Sequence, residues 1–125
     1  MAMSAIVFMN TPISTLRKSG WDGYNAKPLT FSAASKARSL LIMLMGGDRF
    51  EGMSIVPCGD GVIQFEWHRG QKSLEFEMAK GNQINYLKWD PAHGVEDEGF
   101  VEQSDTNALI EMIDWFKQRE STPAP

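Results

Sequence analysis

The chain has 125 residues, 42% of them hydrophobic, which suits one domain able to bury roughly two-thirds of its unfolded surface. The apolar stretch Ala5 to Met9 is too short to span a bilayer and lacks a preceding cationic region, which argues against a membrane span or a signal peptide. The net charge of −4 is unevenly spread: residues 1–49 sum to +4, 50–89 to −1 and 90–125 to −7, so the last third is not expected to lie on nucleic acid.

Residues 1–10 are apolar and weakly patterned, consistent with either a tail or an added edge strand. Thr11-Pro12 reads as a helix start, with threonine as N-cap and proline at the first helical position. Gly20 is placed to end that short helix. Next comes Ser19-Gly20-Trp21-Asp22-Gly23-Tyr24-Asn25-Ala26-Lys27-Pro28, two aromatics and a carboxylate in a glycine-bearing turn. Asp22-Gly23 can fold into an Asx-type turn that presents Trp21 and Tyr24. Those rings either staple the first helix to the sheet or anchor a partner, since aromatics concentrate binding energy at interfaces.

Thr30 caps a second helix over 31–45, where Ala34, Ala37, Leu41 and Leu44 recur at helical steps with Leu40 alongside. Gly46-Gly47 stops it. The period then changes to two. Met53 to Val56 is a short strand ended by Pro57, and Val62 to His68 alternates with Ile63, Phe65 and Trp67 on one side. Leu74, Phe76 and Met78 alternate with Glu75 and Glu77, and Ile84 to Trp89 forms a further strand after the Lys80-Gly81-Asn82 turn. Residues 91–104 read as an acidic, glycine-bearing loop with Phe100-Val101 briefly extended. Ser104 or Asp105 caps a last helix over about 106–119, with Leu109, Met112, Ile113 and Phe116 as its buried stripe. Residues 121–125 form a frayed tail.

The expected fold is therefore α+β: a three- to four-stranded antiparallel meander with N-terminal helices and a C-terminal helix packed on its apolar face. Residues 11–120 make the single domain.

Catalytic and metal chemistry find little support. Cys58 and His68 are the nearest thiol and imidazole, but a hairpin between them separates the pair. With one cysteine no internal disulfide forms, and eight methionines fit a reducing, cytoplasmic setting. His93 lies near Asp90, Glu96, Asp97 and Glu98, yet the paired Cys or His spacing of a zinc site is missing. Gly46-Gly47 and Gly59-Asp60-Gly61 sit at the wrong ends of their elements for a phosphate cradle. No metal and no cofactor are expected.

Trp21 to Pro28, the capped helix that follows, Val62-Ile63-Gln64-Phe65-Glu66-Trp67 and Leu74-Glu75-Phe76-Glu77 together resemble a loose group of short bacterial and phage proteins. These carry a WDGYxAxP motif before a helix and a hairpin with an (L/F)EW strand. The resemblance covers about residues 19–90. Its members place a proline or small residue after the helix cap, where this chain has Phe31. It implies no activity and no catalytic residues, only a setting: a small soluble accessory protein of a bacterium or mobile element.

The expected function is a non-catalytic protein-binding module, with Trp21, Asp22, Tyr24, Glu96, Asp97 and Glu98 meeting a partner of basic surface. A phage or mobile-element inhibitor of a host defence complex fits such a module, because an acidic domain can block a basic channel. Two alternatives stand beside it. One is a small hydrolase or transferase using His68 or His93; the other is an oligomeric, immunity-type protein that dimerises through its sheet edges.

Overall fold

The computed structural model describes residues 3–21, 27–58, 61–78 and 81–118. The period-two stretch forms a sheet whose strands follow one another in chain order, each antiparallel to the next. They are β1 (Met3–Ser4), β2 (Met53–Pro57), β3 (Ile63–Arg69), β4 (Lys72–Met78), β5 (Gln83–Asp90) and β6 (Val95–Glu102). Helices α1 (Ala5–Asn10), α2 (Ile13–Leu16), α3 (Phe31–Met43) and α4 (Thr106–Lys117) complete the α+β fold.

The alternation decides which side the helices cover. Met53 pairs with Trp67, Ile55 with Phe65, Phe65 with Phe76 and Met78 with Ile84, and all seven of these side chains are buried. Ala34, Ala37, Leu40, Leu41 and Leu44 from α3 join the same core, as do Leu109, Ile113 and Phe116 from α4. Thr30 caps α3 by accepting the Ala33 N–H at 3.0 Å, and Asp105 caps α4 by accepting the Ala108 N–H at 3.2 Å. At the centre Trp67 meets Phe76 edge-on at 5.2 Å. Its indole N–H donates to the Arg49 carbonyl at 2.9 Å, so the ring is buried without an unpaired donor.

Basic side chains of the sheet hold α4 at its C-terminal end, where unpaired carbonyls and the helix dipole favour cations. Arg69 donates to the carbonyls of Phe116 (2.5 Å) and Gln118 (3.0 Å), and Lys72 to that of Trp115 (2.8 Å). Lys72 and Lys88 also lie 4.6 and 4.7 Å from the centre of the Trp115 ring.

The structure corrects the strand count, the reading of residues 91–104 and the helix after Pro12. The sheet has six strands rather than three or four. One addition is β6, in the segment read as a loop, which pairs along its length with β5. Charge tolerated at a sheet edge explains an acidic strand there. Gly99 is one reason it fits: Tyr86 lies directly opposite, and a Cβ at position 99 would sit 3.0 Å from the Tyr86 hydroxyl. The other addition is β1, the edge-strand option for residues 1–10, followed at once by α1, whose Phe8 is fully buried. Finally, the helix after Pro12 is a single turn ending at Leu16, well before Gly20. Pro12 rather than Thr11 precedes it, because the Thr11 hydroxyl donates back to the Val7 carbonyl at 2.7 Å.

Candidate functional site: the uncovered sheet face

With every helix on one side, the other side of the sheet is left uncovered among the described residues. The register writes its rows directly. Ser54, Glu66, Glu75, Leu87 and Glu98 form one row from β2 to β6. Val56, Gln64, Glu77, Asn85 and Phe100 form the next, and His68, Ser73, Trp89 and Glu96 the one on the other side. Gln83 and Glu102 complete the face. It carries six glutamates and no lysine or arginine among the described strand residues. The basic residues of the same strands, Arg69, Lys72 and Lys88, stand on the helix side, where α4 uses them.

Glu66 and Glu75 are directly opposed on β3 and β4, an arrangement that is unfavourable when both are charged. Burial first, then a hydrogen bond to Glu66 and its charge, hold the Glu75 carboxyl above the ordinary glutamate range; His68 and Gln64 oppose that shift. The Gln64 amide donates to Glu75 at 2.5 Å, and His68 Nε2 lies 3.3 Å from Glu66. Cys58 Sγ is 3.6 Å from Gln64 Oε1 at the end of this line. Burial, followed by Glu77, Glu66 and Glu75, pushes its thiol up, so the thiolate a nucleophile needs is disfavoured. Beside the carboxylates runs an apolar strip. Trp89 is 38% and Phe100 59% exposed, with Leu87 between them in the register.

Of the residues expected to meet a partner, Glu96 and Glu98 stand on this face, while Asp97 alternates to the helix side opposite Lys88. Trp21 is 5% exposed. It meets Phe8 edge-on at 6.1 Å and donates its indole N–H to the Lys27 carbonyl at 2.9 Å. Its burial favours the stapling account over the anchoring one. Asp22 and Tyr24 lie outside the described residues, as do residues 119–125.

The alternation within each strand sets Glu66, Glu75 and Glu77 opposite the apolar side chains, but it does not bring Leu87, Trp89 and Phe100 together as a strip. The usable signal was the alternation of Glu96, Glu98, Phe100 and Glu102 with Val95, Asp97, Gly99 and Val101.

A concave region lies between the β3–β4 turn, a 3-10 turn at Pro91–His93 and the end of α4. This cleft, of about 570 Å³, is lined by Arg69, Lys72, Asp90, His93 and Trp115 among others. Buried Asp90 lies 2.8 Å from His93 Nδ1, which fixes the ring and leaves Nε2 as its other nitrogen. Among the described residues no lining side chain carries a hydroxyl or thiol. Among the described residues no group of three or more His, Cys, Asp or Glu could hold a metal ion, and no helix is long and apolar enough to cross a membrane.

The fold and these surfaces define an α+β meander with one covered and one acidic, uncovered face. Comparison with protein-family models, curated proteins and solved structures finds no match.

Proposed function

We propose that the protein is a non-catalytic binding module whose uncovered sheet face takes a protein partner with a basic surface. The supporting observation is the separation of charge across the sheet: among the described strand residues, six glutamates stand on one face and the lysines and arginines on the other. Such a surface steers a basic partner and raises the association rate. Leu87, Trp89 and Phe100 supply the apolar centre that carries affinity in protein contacts. The Glu66–Glu75 opposition adds to this, because a lysine or arginine placed between the two carboxylates relieves it. A phage or mobile-element inhibitor that plugs a basic channel of a host defence complex is one setting for such a module. The resemblance of residues 19–90 to short bacterial and phage proteins supports it, and the single thiol suits the cytoplasm.

The test is a pull-down with tagged wild-type protein and a variant combining Glu75→Lys, Glu77→Lys and Glu98→Lys. A stoichiometric partner held by the wild type and lost from the folded variant is expected. Equal retention by both would sink the proposal.

The Asp90–His93 pair favours one second reading, a small hydrolase that activates water. It requires His93→Gln to abolish a turnover that wild-type protein shows on a simple ester panel. Without such turnover, the pair serves to fix the 3-10 turn after β5.

A further inference from the structure

We propose that the outer edge of β6 is where an extended, lysine- or arginine-rich segment of the partner docks, adding a strand to the sheet. This rests on the reading that the partner is basic and specifies how it binds. β6 is the last strand in the order, and its outer side pairs with no strand among the described residues. The Gln103 N–H donates to the Asn82 carbonyl at 2.7 Å, a pair that continues the β5–β6 register. That bond sets the phase of the ladder. Hydrogen-bonded and non-hydrogen-bonded pairs alternate in an antiparallel ladder, so Val101, Gly99, Asp97 and Val95 bond to β5. Glu96, Glu98, Phe100 and Glu102 then direct their backbone N–H and C=O groups outward. These same four residues carry their side chains on the uncovered face. Each open backbone position therefore comes with a glutamate or a phenylalanine beside it.

Charge decides which strand fits. A second copy of β6 would pair antiparallel, its even-numbered residues facing even-numbered ones so that both sheets present the same face. Centred on residue 97 the pairing opposes Glu96 and Glu98. Centred on 98 it opposes Glu98 to itself; on 99, Glu96 to Glu102; and on 100, Glu98 to Glu102. Each of these four registers sets carboxylate against carboxylate, which disfavours self-pairing through the middle of the strand. A strand with a basic residue at every second position reverses each of these contacts. Its backbone completes the edge hydrogen bonds, the usual source of affinity in strand addition.

The experiment is amide hydrogen exchange on the labelled wild-type protein, alone and with a peptide of about ten residues alternating lysine with threonine. In the free protein the amides of Glu96, Glu98, Phe100 and Glu102 should exchange fast, and those of Asp97, Gly99 and Val101 slowly. At saturation the first four should slow by about tenfold or more, with little change in the others. Peptide bound with no protection of these four, but with shifts at Glu66, Glu75 and Glu77, would overturn edge docking and leave the basic-partner reading intact. No binding would overturn both. A doubled mass with the four amides protected before peptide is added would overturn it in favour of self-pairing. Glu98→Pro removes one outward N–H without touching the β5 ladder, whereas Glu98→Thr removes only the charge. The proline variant should bind about tenfold more weakly than the threonine variant; equal binding by the two would also refute the edge.

Discussion

Replacing Glu75 by glutamine should stabilise the free protein at neutral pH, although it removes a charge from a water-facing strand. Glu75 is directly opposed to Glu66, and its carboxyl is held above the ordinary glutamate range by burial and by that neighbour. An acid whose folded pKa is raised binds protons more tightly folded than unfolded, so stability falls as pH rises through that window. Above it the full cost of the paired charges is present. Below about pH 4 both states are protonated and the cost is gone. Cross-strand pairs contribute about 0.2–1 kcal/mol. Glu75 is half-buried and Gln64 already supports it, so a gain of about 0.5 kcal/mol is expected, or about 2 °C in Tm for a chain this size. Urea denaturation of wild type, Glu75→Gln, Glu66→Gln and the double variant at pH 7 and at about pH 4 reads this out. Each single change should give a similar gain at pH 7, and the double variant should gain less than their sum, because one neutral partner already ends the repulsion. A loss of stability in Glu75→Gln at pH 7, or a gain that persists unchanged in acid, would refute the reasoning.

Three further outcomes follow from the same geometry. Trp21→Ala should destabilise by about 3–5 kcal/mol, as for other buried large aromatics; thermal unfolding checks it, and a change below about 1 kcal/mol would mean the ring is not part of the core. Gly61→Ala should cost at least about 1–2 kcal/mol, because φ is 73° there and a Cβ would sit 2.9 Å from the Pro28 carbonyl oxygen. Denaturant midpoints measure that loss. Cys58 should react with iodoacetamide at about pH 7.5 more slowly than a free thiol, and Glu77→Gln should speed it; reaction as fast as free cysteine would contradict the burial and the neighbouring carboxylates.

What could be read from the sequence followed from how far periodicity and burial coincide. In α3, β3 and β4 each buried side chain falls where the pattern puts it, since Ile63, Phe65 and Trp67 can face the core only if their neighbours face water. Residues 5–10 carried no such signal. Ile6 and Val7 are 71% and 52% exposed while Phe8 is fully buried, so apolar residues surround the short helix and its period is blurred. The Ser4 cap, which accepts the Val7 N–H at 3.2 Å, was the available cue. In β6 the run Glu96-Asp97-Glu98 looks like one charged patch until pairing with β5 separates Asp97 from its neighbours. The acidic face had the same difficulty: each glutamate was visible in its own strand, but only the register shows Glu66 against Glu75 and Leu87 against Glu98.

Because each strand lies beside its neighbour in the chain, the sheet can grow by closing one hairpin after another, with little loop entropy to overcome at each step. Contacts that reach far along the sequence come from the helices and the outer strand: β1 to β2, α3 onto β4, and the end of α4 back to Arg69 and Lys72. The order of assembly should follow that asymmetry, with the central hairpins of β3, β4 and β5 forming early and the flanking pieces locking on afterwards. The acidic edge of β6 is thus exposed during folding as well as after it, and its charge keeps unfinished copies from pairing with one another.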